Sequence, residues 1–268
     1  MKFKIALCQI KGSFDKDESR KKADEFITRA AQNGARLVVL PEMWNCPYSN
    51  DYFREYAEPQ GGETYEFLSQ TAAANDIYLV GGSISELEDD KVYNTSYILD
   101  RKGKLIGKHR KAHMFDIDVE GGIKFIESET LTPGNKATVV DTEFCRVGVA
   151  ICYDVRFPEL TRKMSLMGAK LVILPAAFNM TTGPAHWELS MRARALDNQV
   201  YFAACSPARD EDGVYVAYGH SMITDPWGQV VAATGVEEDI VYGDIDLDRV
   251  SEIREQLPLL KHRREELY

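Results

Sequence analysis

The sequence predicts an α/β fold, a four-layer α-β-β-α sandwich, and three observations carry that expectation. Short strand-like apolar runs alternate with segments of helical spacing along the chain. The stretch NGARLVVLPE at 33–42 recurs as MGAKLVILPA at 167–176, each copy following a helix that itself follows an apolar strand. No low-complexity linker divides the 268 residues, which read as one domain, 1–268. Two related strand-helix-strand halves, each a sheet with helices on one face, bury both inner surfaces when the sheets pack face to face.

The elements follow in order. KFKIALCQI is the first apolar run, and DESRKKADEFITRAAQNG after it has helical spacing. RLVVLPE is the next strand, ETYEFLSQTAAAND the next helix, and IYLVGGSIS and VYNTSYILD are strands again. In the second half CRVGVAICYD leads into the helix PELTRKMSLMGA, and KLVILPAAF into the helix HWELSMRARALDNQ. VYFAACSPA, GHSMITD and IVYGDIDL close the set as strands. In the fourth helix the face of Leu189, Ala193 and Leu196 is expected to be buried beside Arg192 and Arg194, and His186, Trp187 and Glu188 at its start to serve packing. The last residues, about 256–268, leave Leu257, Leu259, Leu260 and Leu267 without a place in the sandwich, which points to a subunit interface.

Composition narrows the function classes. Hydrophobic residues make 44% and charged residues 28%, ordinary globular usage. A net charge of -10 argues against nucleic acid or an anionic membrane as partner. No apolar run approaches the roughly 18 to 20 residues of a membrane span, and MKFKIALCQIKG has too short an apolar core for a signal peptide. Five scattered cysteines with no CxxC pair argue against a disulfide framework or a zinc site and for reduced thiols in a cytoplasm.

Chemistry in such sheets gathers at the carboxyl ends of strands, where Glu42, Cys152 and the run Pro175 to Asn179 fall. Cys152 closes a strand and precedes a short polar turn and a helix, a position with the logic of a nucleophile elbow. The plain alternative, a buried structural thiol, is the reading for Cys8, Cys145 and Cys205, each placed within an apolar strand. Glu42 is either a solvated loop acid or a partly buried base, and Lys111, in the basic patch KLIGKHRKAHMF, fits a solvated face. Two rival readings also stand in the chain. DIDVEGGIKFIE at 116–127 has the acids Asp116, Asp118, Glu120 and Glu127 at EF-hand positions, yet no helix flanks it downstream and no second loop pairs with it. GHSMI puts Ser221 in a partial serine elbow, but Ile223 replaces the final glycine and the chain continues as a strand.

LPEMW, GKHRKAHMFD, TPG, AICYDVRFPEL and GPAHWELSMRARALDNQVY, five segments in order from the first strand to the C-terminal helix, together resemble the nitrilase superfamily of carbon–nitrogen hydrolases. FDIDVEGGIKFIES, FNMTTGPAHWEL, ACSPARD and the C-terminal stretch are most similar to its omega-amidase branch, the amidases of 2-oxoglutaramate and related ω-amides. The resemblance implies the same sandwich fold, with Cys152 as nucleophile, Glu42 as general base, Lys111 as oxyanion-stabilising cation and Glu127 as a second glutamate. It implies neither metal nor organic cofactor, a small-molecule amide substrate, and a homodimer or larger even oligomer. Deaminated glutathione, handled by a neighbouring branch, is the alternative substrate. The backbone N–H of Tyr153 is a candidate oxyanion donor, and Arg156 is a candidate for gripping a substrate carboxylate or for an ion pair with Glu159 or Asp154. Tyr48, Thr181 and Thr182 follow strand ends and are further pocket candidates.

Overall fold

The computed structural model of the chain describes residues 1–267. The first half runs β1 (Lys2–Gln9), α1 (Lys16–Gln32), β2 (Leu37–Val39), α2 (Asn50–Phe53), α3 (Glu63–Ala74), β3 (Tyr78–Val80), β4 (Ile84–Glu88), β5 (Lys91–Leu99) and β6 (Leu105–Arg110). A small hairpin of β7 (Asp116–Asp118) and β8 (Lys124–Ile126) then separates it from β9 (Thr138–Asp141) and β10 (Arg146–Val149). A 3-10 turn, Cys152–Arg156, leads into α4 (Pro158–Leu166), β11 (Ala169–Pro175), α5 (Gly183–Asn198) and β12 (Tyr201–Cys205). The chain continues through β13 (Met222–Thr224), β14 (Val230–Ala233), β15 (Asp239–Asp246) and α6 (Leu247–Gln256).

Two sheets form, one ordered β15-β1-β2-β3-β5-β4 with β6 also on β5, the other β14-β13-β12-β11-β10-β9. The expected echo is structural: β1-α1-β2 and β10-α4-β11 are both parallel crossover units. Strand periodicity shows why four layers result. On β1, Ile5 and Leu7 face the other sheet while Ala6 and Cys8 face the helices; on β11, Leu171 and Ile173 face inward while Val172 and Leu174 meet the helical layer. Strands apolar on both faces have to be covered twice, and each fully buried Leu, Ile or Val contributes about 1.5–3 kcal/mol. The helices supply the outer cover: α1 buries Ala23, Phe26, Ile27 and Ala30, and Asp15 caps its first turn by accepting from the N–H groups of Asp17 and Glu18.

Several expectations needed correction. IYLVGGSIS breaks into β3 and β4 because Gly82 takes a left-handed φ of +61° where a Cβ would stand 2.1 Å from the Pro41 carbonyl oxygen. Cys145 lies before β10 and is only half-buried, while Cys8 and Cys205 are in strands as expected. On α5 the buried face is Trp187, Met191 and Ala195; Leu189 and Leu196 are 68% and 40% exposed, so the expected apolar face lies on roughly the opposite side of the helix. Sequence periodicity also did not separate β6, β7, β8, β9, β14 or α6, which are short or rich in charge. In the C-terminal tail Leu257 and Leu267 are exposed, and Tyr268 lies outside the described residues.

Candidate active site

Glu42 stands three residues beyond β2, in a sharp turn where Met43 takes φ +49°. Lys111 follows β6 and extends its ladder, its N–H donating to the Asn94 carbonyl on β5 at 2.9 Å. The strand's alternation sends Lys108 and Arg110 to one side, where they pair with Glu86 and Glu88, and His109 and Lys111 inward. Below Lys111, Gly134 of the Thr-Pro-Gly turn donates its N–H to the Lys111 carbonyl at 2.8 Å, an approach that a Cβ 2.3 Å from the Arg110 oxygen would block. Cys152 follows β10 with φ +45°, a left-handed conformation that costs a non-glycine residue about 1–3 kcal/mol and has to be held by its surroundings.

These three elements and the residue after β8 bring Glu42, Lys111, Glu127 and Cys152 together, at 1%, 1%, 0% and 4% exposure. The solvated reading of Lys111 and Glu42 is thereby overturned. The Lys111 ammonium donates to Glu127 Oε1 at 2.8 Å, to Glu42 Oε1 at 3.1 Å and to the Tyr48 hydroxyl at 3.3 Å. Glu42 Oε1 also accepts from Asn94 Nδ2 at 2.8 Å, and its Oε2 from the Ala177 N–H at 2.8 Å. Tyr48 Oη lies 3.2 Å from Glu42 Oε1 and 3.1 Å from Glu127 Oε1, with one proton to give to either.

Burial by itself would depress the Lys111 ammonium, but the Glu127 and Glu42 carboxylates outweigh it and hold that group well above the ordinary lysine range. Burial raises the Cys152 thiol well above its usual value; the Glu42 carboxylate, with which it hydrogen-bonds, adds to this and Lys111 opposes it. Burial also raises Glu127 against the pull of Lys111. Lys111 and Glu127 thus compete for one proton, and the hydrogen bonds decide it. Glu127 Oε1 accepts from the ammonium and Oε2 from the Phe115 N–H at 2.7 Å, an acceptor-only pattern that a carboxylate satisfies. The resting arrangement is a protonated thiol beside an acceptor carboxylate and a fixed cation, which can pass a proton from sulfur to carboxylate as a nucleophilic attack begins.

The other sequence candidates sit around this cluster in different ways. Tyr48 belongs to it, and Tyr153 packs edge-on to Phe115 and Phe157. Arg156 pairs with neither Glu159 nor Asp154: its Nη1 lies 3.1 Å from His186 Nδ1, and its guanidinium covers the Phe178 ring at 4.8 Å. Thr181 and Thr182 donate their backbone N–H groups to Asn179 Oδ1, Thr181 being exposed and Thr182 buried. The 116–127 segment is the β7–β8 hairpin rather than a calcium loop; Asp118 pairs with Lys124, Asp116 caps the Ser128 N–H, and Glu127 turns inward. Ser221 is buried against Gln9 and Ser206.

Sequence reasoning missed Asn94, His109, His113, Asp154 and Tyr215. Tyr215 packs its ring against Tyr48, tilted by 35° with centroids 4.6 Å apart, and donates to the Ala177 carbonyl at 2.6 Å; Tyr48, Tyr215 and Glu42 line one cleft. Two signals were available: the polar Asn94 inside the apolar run VYNTSYILD, and the alternation of His109, Lys111 and His113, which a strand sends to one side.

A face-to-face sandwich of two sheets with a thiol, two carboxylates and an ammonium at adjoining strand ends defines a class of hydrolases that open carbon–nitrogen bonds. The chain belongs to the carbon-nitrogen hydrolase family, whose model matches residues 4–255. It is 54% identical over 267 residues to the omega-amidase NIT2 of Xenopus tropicalis, covering 100% of this chain and 97% of the relative. It is 51% identical over 266 residues to the omega-amidase NIT2 of Homo sapiens, covering 99% and 96%. Among solved structures, Saccharomyces cerevisiae Nit3, described as a member of branch 10 of the nitrilase superfamily, superposes with a TM-score of 0.91 at 47% identity, covering 98% of this chain and 97% of that one.

Proposed function

We propose that the chain is a cysteine-dependent omega-amidase that hydrolyses the terminal amide of a small carboxylate-bearing substrate of the 2-oxoglutaramate or 2-oxosuccinamate type. The observation that supports this best is the buried Lys111 ammonium, hydrogen-bonded to Glu42 and Glu127 beside the left-handed Cys152. In this reading Glu42 takes the Cys152 proton as sulfur attacks the amide carbon, and the new oxyanion is held by Lys111 and the Tyr153 N–H. One such donor is worth about 3 kcal/mol in a water-excluded site. Glu42 returns the proton to the leaving nitrogen, ammonia departs and a thioester remains. Water then attacks the thioester with Glu42 again taking its proton; the thiol is regenerated and the acid released.

Arg156 is the proposed partner of the substrate carboxylate, supported by its place in the turn of Cys152 and by the lack of an acidic partner for it among the described residues. Thr181 and Thr182 are proposed at the pocket rim. A cytoplasmic location fits the five free thiols, and among the described residues no helix is long and apolar enough to cross a membrane. Residues 1–268 are proposed to act as one domain in a homodimer or larger even assembly.

The experiment is ammonia release from 2-oxoglutaramate, 2-oxosuccinamate, glutamine, deaminated glutathione and an aliphatic nitrile, with Cys152→Ala and Cys152→Ser in parallel. The 2-oxo ω-amides should be turned over fastest, and both variants should melt as wild type with no turnover. Preference for glutamine or nitrile removes the substrate assignment, and an active Cys152→Ala removes the nucleophile.

A further inference from the structure

Asp154 lies two residues past Cys152, wholly buried, and the chemistry above gives it no task. Its carboxylate accepts five hydrogen bonds. Oδ1 takes the N–H groups of Ala112 at 3.1 Å and His113 at 3.0 Å, and His113 Nδ1 at 2.7 Å. Oδ2 takes the Ile151 N–H at 3.0 Å and His109 Nε2 at 2.9 Å. Four of these donors come from residues 109–113, which flank Lys111 on both sides, and the fifth from the residue immediately before Cys152. β6 and the elbow belong to different sheets, so this one side chain spans the two layers at the point where the cation and the thiol must meet.

Burying a carboxylate costs several kcal/mol, which an apolar side chain of similar volume would not incur, so packing alone does not account for an aspartate there. What the carboxylate adds is direction. Its two oxygens fix residues 109–113 and the elbow relative to each other, and the Ile151 bond, with the Asp154 N–H returning to the Ile151 carbonyl at 3.0 Å, closes the turn around the left-handed Cys152. A displacement of about 1 Å between reacting groups is enough to cost about a hundredfold in rate.

We propose that Asp154 is a positioning residue, clamping the Lys111 segment to the Cys152 elbow and thereby setting the cation-to-sulfur geometry at the tetrahedral stage. The inference rests on the roles of Cys152 and Lys111 proposed above. It places the two histidines as arms of the clamp: His109, wholly buried and 3.0 Å from Thr138 Oγ1, and His113, whose ring stacks on Phe157 at 3.7 Å.

The His113 arm is the place to test it, because that side chain is 32% exposed and its loss endangers the fold least. His113→Phe keeps an aromatic ring over Phe157 and removes the donor; His113→Asn keeps a donor close to the Nδ1 position and removes the stack. With the amide that wild type turns over fastest, His113→Phe should lower kcat about tenfold with KM within about twofold. His113→Asn should restore at least half of wild-type kcat even where its melting temperature falls. Asp154→Asn, which turns an NH2 toward one set of donors, should lower kcat about a hundredfold or more. An active His113→Phe with an impaired His113→Asn shows that the stack matters and the clamp does not, and a folded Asp154→Asn at wild-type kcat also overturns the proposal. If Asp154→Asn does not fold, the His113 pair decides. Cys152→Ala is run beside them: its activity would sink the underlying assignment, whereas an inactive Cys152→Ala with a wild-type His113→Phe sinks the clamp alone.

Discussion

Glu127 accepts hydrogen bonds on both carboxylate oxygens, from the Lys111 ammonium on one and the Phe115 N–H on the other. Glu127→Gln would put an NH2 group against one of those donors and leave Lys111 drawn toward Glu42 alone. Its kcat is expected to fall at least tenfold, about 1.4 kcal/mol, measured by steady-state ammonia release; a wild-type kcat would remove Glu127 from the mechanism. Asp154 offers a test through pH. Despite its burial, the hydrogen bonds from His109 and His113 hold its carboxyl well below the usual carboxylate range. A depressed carboxyl contributes stability that is complete above the unfolded-state value of about 3.9 and is lost as pH falls toward the folded one. In urea unfolding, the stability gap between wild type and Asp154→Asn should therefore be widest near neutral pH and narrow below about pH 4; a gap independent of pH contradicts an ionised Asp154. Cysteine and glutamate at strand ends were legible as candidates because their positions are local facts. Lys111 was legible only through the family resemblance, because a lysine among Lys and Arg neighbours looks solvated until β6 places alternate residues on opposite sides.

At the scale of elements, the β7–β8 hairpin settles what DIDVEGGIKFIE does. Acids spaced for a calcium loop point in different directions once the segment folds as two strands: Asp118 to Lys124 at the surface, Asp116 to the Ser128 N–H, Glu127 into the interior. Calcium or EDTA should leave the melting temperature unchanged in differential scanning fluorimetry, since a ligand that does not bind the native state cannot shift its stability; a calcium-dependent rise of several degrees restores the metal reading. The helices α1, α3, α4 and α5 were legible from spacing, whereas α6 and the phase of α5 were not. Trp187, Met191 and Ala195 recur every four residues as cleanly as Leu189, Ala193 and Leu196 do approximately, and two apolar stripes on one helix cannot be ranked without the partner surface. β6, β9 and β14 escaped notice because their hydrogen bonds to neighbouring strands, rather than their own composition, make them strands.

At the scale of the whole molecule the oligomeric state is the open test. Leu189 and Leu196 on α5 are exposed, as are Leu257 and Leu267 near the C-terminus. The proposed homodimer or larger even assembly would cover such residues. Light scattering at micromolar concentration should give at least twice the 30.2 kDa chain mass; a fully active monomer refutes it. The sequence by itself determined the repeated strand-helix-strand unit, and with it the sandwich, because strands apolar on both faces have to be covered on both. It also placed Glu42 and Cys152 at strand ends. Only the tertiary structure decided that Lys111 and Glu127 are buried against one another, and that Asn94, Asp154 and the two histidines support them. Each of those facts depends on residues far apart in the chain meeting where two sheets adjoin, and local spacing carries no record of which strand ends will face one another.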